Sequence, residues 1–397
     1  MSEEMKNLNN EQPEETPVEK VEPKVEAKKP LDKKTIGIIA GAAAAVVVIV
    51  AIVLIALLGG NKNPEPTLND YTLGMGVEVS LAESATGLAQ VDATVATVVL
   101  DKDGKIVLCR IDAVQNKATL NNNGTFVLPE VYKTKMEKGD AYGMSAAVNY
   151  GMDWNGDGVV KEWYEQAKAF ETYVIGKTAA EVEAMGTKEV GDGYIISNDD
   201  ALLSAGCTIQ ITDFKAAVVK ACNDEFKVSF KSEGNFTLGV AANSYDDEST
   251  AATENTNGTV KMYSDFAASV VEDGKIVASL NDAIQPNVTF NFAGEIVETS
   301  FKNTKRALKG EYGMSAAVNF GMDWNGDGKV LEWYEQSAAF SKHVVGMTGA
   351  EVEAMGTQEV PGRGYVISND DALLSAGCTI QITGIKAVVA ESVTNAR

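Results

Sequence analysis

The chain is poor in histidine, cysteine and positive charge, and each shortage removes a class of chemistry. His343 is the single histidine of 397 residues. The internal repeat described below places Tyr173 opposite it, so no site common to both copies employs imidazole. Histidine-based zinc sites and Ser-His or Cys-His catalysis are thereby excluded as shared devices. Cysteine occurs four times, at Cys109, Cys207, Cys222 and Cys378, with no CxxC and no metal-ligand spacing. Four are too few to frame so long a chain with disulfides. Lys and Arg number 34 against 56 Asp and Glu, a formal charge of -22. Residues 1–35 hold seven lysines and nine acids, so nearly all of the excess lies beyond them. No Lys/Arg stripe with interleaved aromatics offsets it, and so acidic a surface repels a phosphate backbone. Nucleic acid is not an expected partner.

The hydrophobic fraction of 45% is that of an ordinary globular protein, and the length accommodates two or three domains. One run stands apart. Ile36–Leu58 is uncharged Ile, Val, Leu and Ala with two glycines. At about 1.5 Å per residue such a helix is roughly 35 Å long, enough to cross a hydrocarbon core of about 30 Å. A buried soluble helix is rarely apolar on every face for that length. A cleaved signal peptide is disfavoured by the long Pro/Glu/Lys-rich segment before the run and by the length of the run itself. Lys28, Lys29, Lys33 and Lys34 flank its N-terminal end, against Lys62 beyond the other. Positive charge stays inside, so residues 1–35 are expected in the cytoplasm and residues 59–397 outside, with the lipid bilayer as partner of residues 36–58. Residues 1–35, with Pro13, Pro17, Pro23 and Pro30 among Glu and Lys, read as a disordered tail, and residues 59–70 as a short stalk.

The rest of the chain is written twice. Tyr142–Asn149 (YGMSAAVN) returns as Tyr312–Asn319, GMDWNGDG at Gly151–Gly158 returns at Gly321–Gly328, and Ile196–Thr212 returns unchanged as Ile367–Thr383. YTLGMG at Tyr71 faces FTLGVA at Phe236, and DGKIV occurs at both Asp103 and Asp273. The copies run over residues 71–232 and 233–397, a period too long for a solenoid, and are expected to be two tandem homologous domains. Within one copy, Ala93–Leu100 and Lys105–Asp112 are β-rich runs joined at a DKDG turn. Trp163, Ala167, Phe170 and Val174 form one apolar face, predicting a helix over Glu162–Ile175 that Gly176 stops. Thr178–Glu181 has the capping-box pattern of a second helix. Cys207–Thr212 alternates like a strand, and Asp213 is placed to cap a final helix. The fold class that follows is α+β.

Asp153, Asn155, Asp157 and Gly158, with Asp323, Asn325, Asp327 and Gly328, match the first half of a calcium loop, where oxygens at positions 1, 3 and 5 converge and Gly at 6 permits the turn. Position 12 is Tyr164 or Tyr334. Acids fall instead at Glu162 and Glu165, and at Glu332 and Glu335, which complete the candidate metal set. The alternative is a plain Asx/Gly turn leading into the helix. All four tryptophans, Trp154, Trp163, Trp324 and Trp333, lie in these segments; spacing makes Trp163 and Trp333 core residues.

Each copy also carries, in order, a DGKI hairpin, an aromatic-rich helix ending in GKT or GMT (Gly176–Thr178, Gly346–Thr348), and SAGCTI (Ser204–Ile209, Ser375–Ile380). In this order and in these motifs the chain resembles the FMN-binding domain family of membrane-anchored extracytoplasmic flavoproteins. The resemblance implies that Thr208 and Thr379 stand at the place of the flavin-bearing threonine, Gly206 and Gly377 at the glycine, and Cys207 and Cys378 at the alanine. Ala205 and Ala376 occupy the place of Ser/Thr, and Leu202 and Leu373 that of an acid, so the modification motif is degenerate. Two functions follow as expectations: a membrane-anchored, extracytoplasmic, non-catalytic binding or structural protein, with calcium as stabiliser, or an extracytoplasmic FMN electron carrier. No protein partner is legible.

Overall fold

A computed structural model describes residues 68–397. The expected tail 1–35, the membrane span 36–58 and most of the stalk 59–70 lie outside the described residues. Among the described residues no helix is long and apolar enough to cross a membrane.

The first copy supplies strands β1 (Asn69–Ser80), β2 (Leu88–Leu100), β3 (Ile106–Leu120) and β4 (Phe126–Val127), then helices α1 (Lys135–Lys138), α2 (Trp163–Tyr173) and α3 (Ala179–Glu183). A hairpin, β5 (Thr187–Val190) and β6 (Tyr194–Ser197), precedes α4 (Asp200–Ser204) and α5 (Thr212–Cys222), and β7 (Val228–Ser232) closes the copy. The second copy repeats the plan with β8 (Thr237–Asp246), β9 (Gly258–Glu272), β10 (Lys275–Ile284), β11 (Asn287–Phe290), β12 (Ile296–Ser300), α6 (Lys305–Leu308), α7 (Trp333–His343) and α8 (Gly349–Glu353). It ends in β13 (Thr357–Glu359), β14 (Val366–Ser368), α9 (Asp371–Ser375) and α10 (Thr383–Thr394). Helix and strand occur in similar shares, 29% and 33%, and the class is α+β.

The expected hairpin turns at Asp101–Lys105, where Gly104 takes φ +75°, and its strands run on in both directions. The first sheet is antiparallel in the order β4-β3-β2-β1-β7. In the second, β9 pairs with β8 along one edge and with β10 and β11. Pro286 stands where the first copy has Asn116 and separates β10 from β11; proline offers no N–H to a ladder.

Alternation within β2 explains the layering. Val91, Ala93 and Val95 belong to a core that also takes in Leu238, Val260, Met262, Phe266 and Phe290 of the second copy. Ala96, Val98 and Leu100 turn the other way, onto Trp163, Phe170 and Phe214 of their own helices. The second sheet does likewise with Trp333, Phe340 and Val388. The two sheets therefore share a central core, each with its helices on the outer face, and the described residues form one compact unit. Glycine sets the helix distance. A methyl group at Gly74 would run into the Ala221 carbonyl of α5, and one at Gly239 into the Ser392 carbonyl of α10.

The boundary between the copies carries a buried ion pair. Arg306 Nη2 donates to both carboxylate oxygens of Asp224 at 2.6 and 2.5 Å, and Asp224 also accepts from the Met75 N–H at 3.1 Å.

Two expectations are corrected. Asp213 does not cap α5, which already begins at Thr212 and places Asp213 within its first turn. Cys207–Thr212 is not a strand but an irregular passage into α5. The Cys207 N–H donates to the Leu202 carbonyl, and the Thr208 and Ile209 N–H groups find their acceptor in a side chain rather than a neighbouring strand.

Candidate functional site

The SAGCT segment follows α4, whose N-cap Asp199 accepts from the Ala201 and Leu202 N–H groups. Gly206 has φ +87° and Gly377 φ +84°, a turn that L side chains rarely adopt. The turn directs the next residues inward against α2. There Gln166, fully buried, accepts at Oε1 from the Thr208 N–H at 2.8 Å, the Ile209 N–H at 2.9 Å and the Thr208 hydroxyl at 3.4 Å. Its Nε2 donates to the Lys161 carbonyl at 2.7 Å. Gln336 repeats the threonine contacts in the second copy: the Thr379 N–H reaches it at 2.7 Å, the Thr379 hydroxyl at 3.3 Å, and it donates to the Leu331 carbonyl at 2.7 Å. A single glutamine thus does what a neighbouring strand would have done.

Thr208 is 3% exposed and Thr379 7%. The space above Gly206 is taken by the Lys161 side chain and that above Gly377 by Leu331. So placed, neither threonine presents its hydroxyl to a phosphate, and the residues do not fit a phosphoester-linked FMN. Cys207 and Cys378 are fully buried, and burial pushes each thiol up to about 12, which leaves them small apolar packing groups. All four cysteines are buried and unpaired.

The DxNxDG loops are built alike in both copies. Asp153 Oδ1 accepts from the Gly156 and Asp157 N–H groups, at 2.9 and 3.2 Å, and Oδ2 from Gly158 at 2.8 Å. Asp157 Oδ1 accepts from Val159 at 2.9 Å and Oδ2 from Asn155 Nδ2 at 2.8 Å. Asp323, Asn325 and Asp327 repeat these bonds. A carboxylate offers about four lone pairs, so Asp153 keeps one free and Asp157 two. Asn155 Oδ1 and Asn325 Oδ1 are buried and accept from no donor among the described residues. The same orphaned oxygen at the third position of both loops is the feature that fits a hard cation.

The four glutamates are elsewhere. Glu162 caps α2 and accepts from the Met144 and Ser145 N–H groups at 2.8 and 3.0 Å, while Glu165 accepts from the Glu162 N–H at 3.0 Å. Glu332 and Glu335 repeat this at α7. Burial pushes the Glu162 carboxyl up, but hydrogen bonds from Ser145, Met144 and Gly143 outweigh it and hold the group below its ordinary range. The structure therefore brings Asp153, Asn155 and Asp157 together, and likewise Asp323, Asn325 and Asp327, without these glutamates. Among the described residues no group of three or more His, Cys, Asp or Glu is placed to hold a metal ion.

Trp163 and Trp333 are core residues, 3% exposed, while Trp324 lies tilted over Tyr365 with ring centroids 6.5 Å apart. Beside the loops Tyr150 and Phe320, equivalent in the two copies, are 81% and 71% exposed. Half-buried His343 has its Nε2 3.9 Å from Asp370, beyond hydrogen-bond reach, while its counterpart Tyr173 donates to Asp199 at 2.6 Å and fastens the helix to the next segment.

Sequence reading missed Gln166 and Gln336, although WYEQ recurs in both copies. It also missed Asp112 and Asp282, duplicated as ID-Ala113 and ND-Ala283. Each is buried and accepts from two backbone N–H groups: Ala113 and Met136 for Asp112, Ala283 and Arg306 for Asp282. Burial raises the Asp112 carboxyl to about 7.

Compared with known proteins, the chain matches no family model and no solved structure. It is similar, at 46% identity over 52 residues, to a chlorophenol reductase of Desulfitobacterium hafniense, a match spanning 13% of this chain and 13% of that protein.

Proposed function

We propose that the chain is a membrane-anchored, extracytoplasmic, non-catalytic binding and structural protein built on a duplicated FMN-binding-like fold, with calcium stabilising its DxNxDG loops. The observation that carries this reading is the common fate of Thr208 and Thr379, both buried and held inward by a glutamine. Two copies with the same inward threonine read as a fold retained for its shape. The orphaned Asn155 and Asn325 oxygens support the cation. Extracellular sites of this kind bind at about 0.1–1 mM. Calcium at about 10 mM then stabilises each occupied loop by about 1.4–2.7 kcal/mol. A melting temperature that chelator leaves unchanged would show DWNGDG to be only a turn.

The second reading is the FMN electron carrier. It is supported by the motif order, by the positive-φ glycines of SAGCT, and by the short similarity to a protein named a reductase. Expression of the full chain with and without a flavin transferase separates the two. A band that is non-fluorescent after denaturation in both arms supports the binding reading. Flavin fluorescence that survives denaturation and disappears in the double variant T208V/T379V overturns it in favour of the carrier.

A further inference from the structure

We propose that the first copy holds a binding site for a soluble organic dianion with an apolar body, in the cleft between the end of β3, β4 with the segment after it, and α1. The cleft measures about 550 Å³, within the roughly 300–1,000 Å³ usual for small-molecule sites. Lys117, Lys133 and Lys138 line it and no acid does. In a chain with a formal charge of -22, three cations on one cleft run against the sign of the whole. Val127 and Val131 belong to the same lining and are 59% and 68% exposed. A ligand of charge alone would leave these apolar groups in water, whereas an apolar body covers them.

The protein's own acids do not neutralise these lysines. Among the described residues the lysine ion pairs engage Lys102, Lys220, Lys231 and Lys309, and none of the three cleft lysines has one. Glu130, Glu137 and Asp140 lie on the segment that carries Lys133 and Lys138. Glu137 is spent on the Thr134 N–H at 2.7 Å and Asp140 on the Tyr164 hydroxyl at 3.1 Å, while Glu130 is exposed. Across the cleft, burial and then Asp246 of β8 raise the Tyr132 phenol to about 12. Lys138 is half-buried. Burial, then Lys135 and Lys117, hold its amine below the ordinary range, and Glu137 offsets them only in part. The Lys135 and Lys138 amines stand 5.2 and 5.9 Å from the centre of one ring, that of Tyr142. Like charges gathered in this way favour an anion among them. Salt screens the distant acids beyond about 8 Å at physiological ionic strength, so the near cations decide. Lysine takes phosphate or carboxylate as a point charge, and three of them favour two negative charges over one.

The second copy shows that the fold does not require them. DGKIV and YGMSAAVN recur at the same separation, so the residues between them correspond one to one. Asn287, Asn303 and Leu308 stand in place of Lys117, Lys133 and Lys138. Lys302 takes the place of Tyr132, and Lys309, at the place of Gly139, pairs with Glu225 at 2.6 Å. The positive lining therefore belongs to the first copy alone. The inference uses none of the SAGCT or DxNxDG residues and is independent of the function proposed above.

The test is saturation-transfer NMR on the full chain in phosphatidylcholine nanodiscs, with empty nanodiscs subtracted, at about pH 8, where a phosphate ester carries close to two charges. Phenyl phosphate, benzoate and phenol are the probes, with inorganic phosphate as competitor. Phenyl phosphate is expected to bind most tightly, and raising NaCl from about 50 to about 500 mM to weaken it about five-fold. Lys138→Leu is expected to weaken it about three- to five-fold. The triple variant Lys117→Asn, Lys133→Asn and Lys138→Leu carries the second copy's residues, and is expected to abolish the signal while circular dichroism stays unchanged. No saturable phenyl phosphate signal up to about 10 mM overturns the site, as does a signal that the triple variant or the salt leaves intact. Equal binding of benzoate overturns the dianion, and equal binding of phenol the role of the lysines. Displacement by inorganic phosphate at equal concentration overturns the apolar body. Loss of the signal in nanodiscs that contain phosphatidic acid overturns the soluble source in favour of a lipid headgroup.

Discussion

Replacing Gln166 by Leu removes the one acceptor that organises the SAGCT passage while keeping nearly the same volume. The Thr208 N–H, buried with its residue, loses a bond of 2.8 Å and has no route to water. The Ile209 N–H and the Lys161 carbonyl lose bonds of 2.9 and 2.7 Å, but both residues are half-buried and regain some hydration. An unsatisfied buried group costs about 1–3 kcal/mol. One full penalty and two reduced ones give about 3 kcal/mol, a large part of the roughly 5–15 kcal/mol that holds a folded protein together. The assay is urea unfolding of the detergent-solubilised chain, followed by tryptophan fluorescence. It reports well because all four tryptophans lie in the two helix-and-loop segments concerned. Gln336→Leu provides an internal comparison, since its bonds of 2.7 Å to the Thr379 N–H and the Leu331 carbonyl repeat two of the three counted for Gln166. The two losses should agree to within about 1 kcal/mol. A loss below about 1 kcal/mol at either position would refute the claim that this glutamine replaces a strand.

Other outcomes follow from the same geometry. Asp112 is buried with its carboxyl raised to about 7 from an ordinary value of 3.8. Between those values the folded chain holds a proton that the unfolded chain releases, so this group makes stability fall as pH rises from about 4 to about 7. Asp112→Asn keeps the acceptor oxygen for Ala113 and Met136 and should flatten that fall; parallel pH–stability curves for parent and variant would sink the assignment. Gly239→Ala drives a methyl group into the Ser392 carbonyl and should cost about 1–3 kcal/mol by thermal unfolding. Gly310→Ala, with open space around it, should cost little. Arg306→Met leaves Asp224 buried without its bidentate partner and should destabilise the chain by about 3–5 kcal/mol. An effect below about 1 kcal/mol in urea unfolding would show that this pair does not fasten the two copies.

Local chemistry alone determined the α+β class, the DKDG hairpin, the helix beginning at Trp163, and the capping boxes at Thr178 and Thr348, because each rests on near neighbours in the chain. The duplication was likewise plain, and it located the DxNxDG and SAGCT segments without any coordinates. Tertiary structure decided what those segments face. Val95–Leu100 is apolar on both sides of its strand, and only the folded chain shows that one side meets the second copy and the other its own helices. Cys207–Thr212 alternates as a strand does, yet a glutamine some forty residues earlier takes its N–H groups, so no ladder forms. Glu162 and Glu165 lie close to the loop in sequence, out of register with its twelfth position, and the folded chain spends both on N–H groups around the helix start. Lys117, Lys133 and Lys138 carry no motif, and they line one cleft only because long-range packing, which sequence periodicity does not encode, brings α1 against β3.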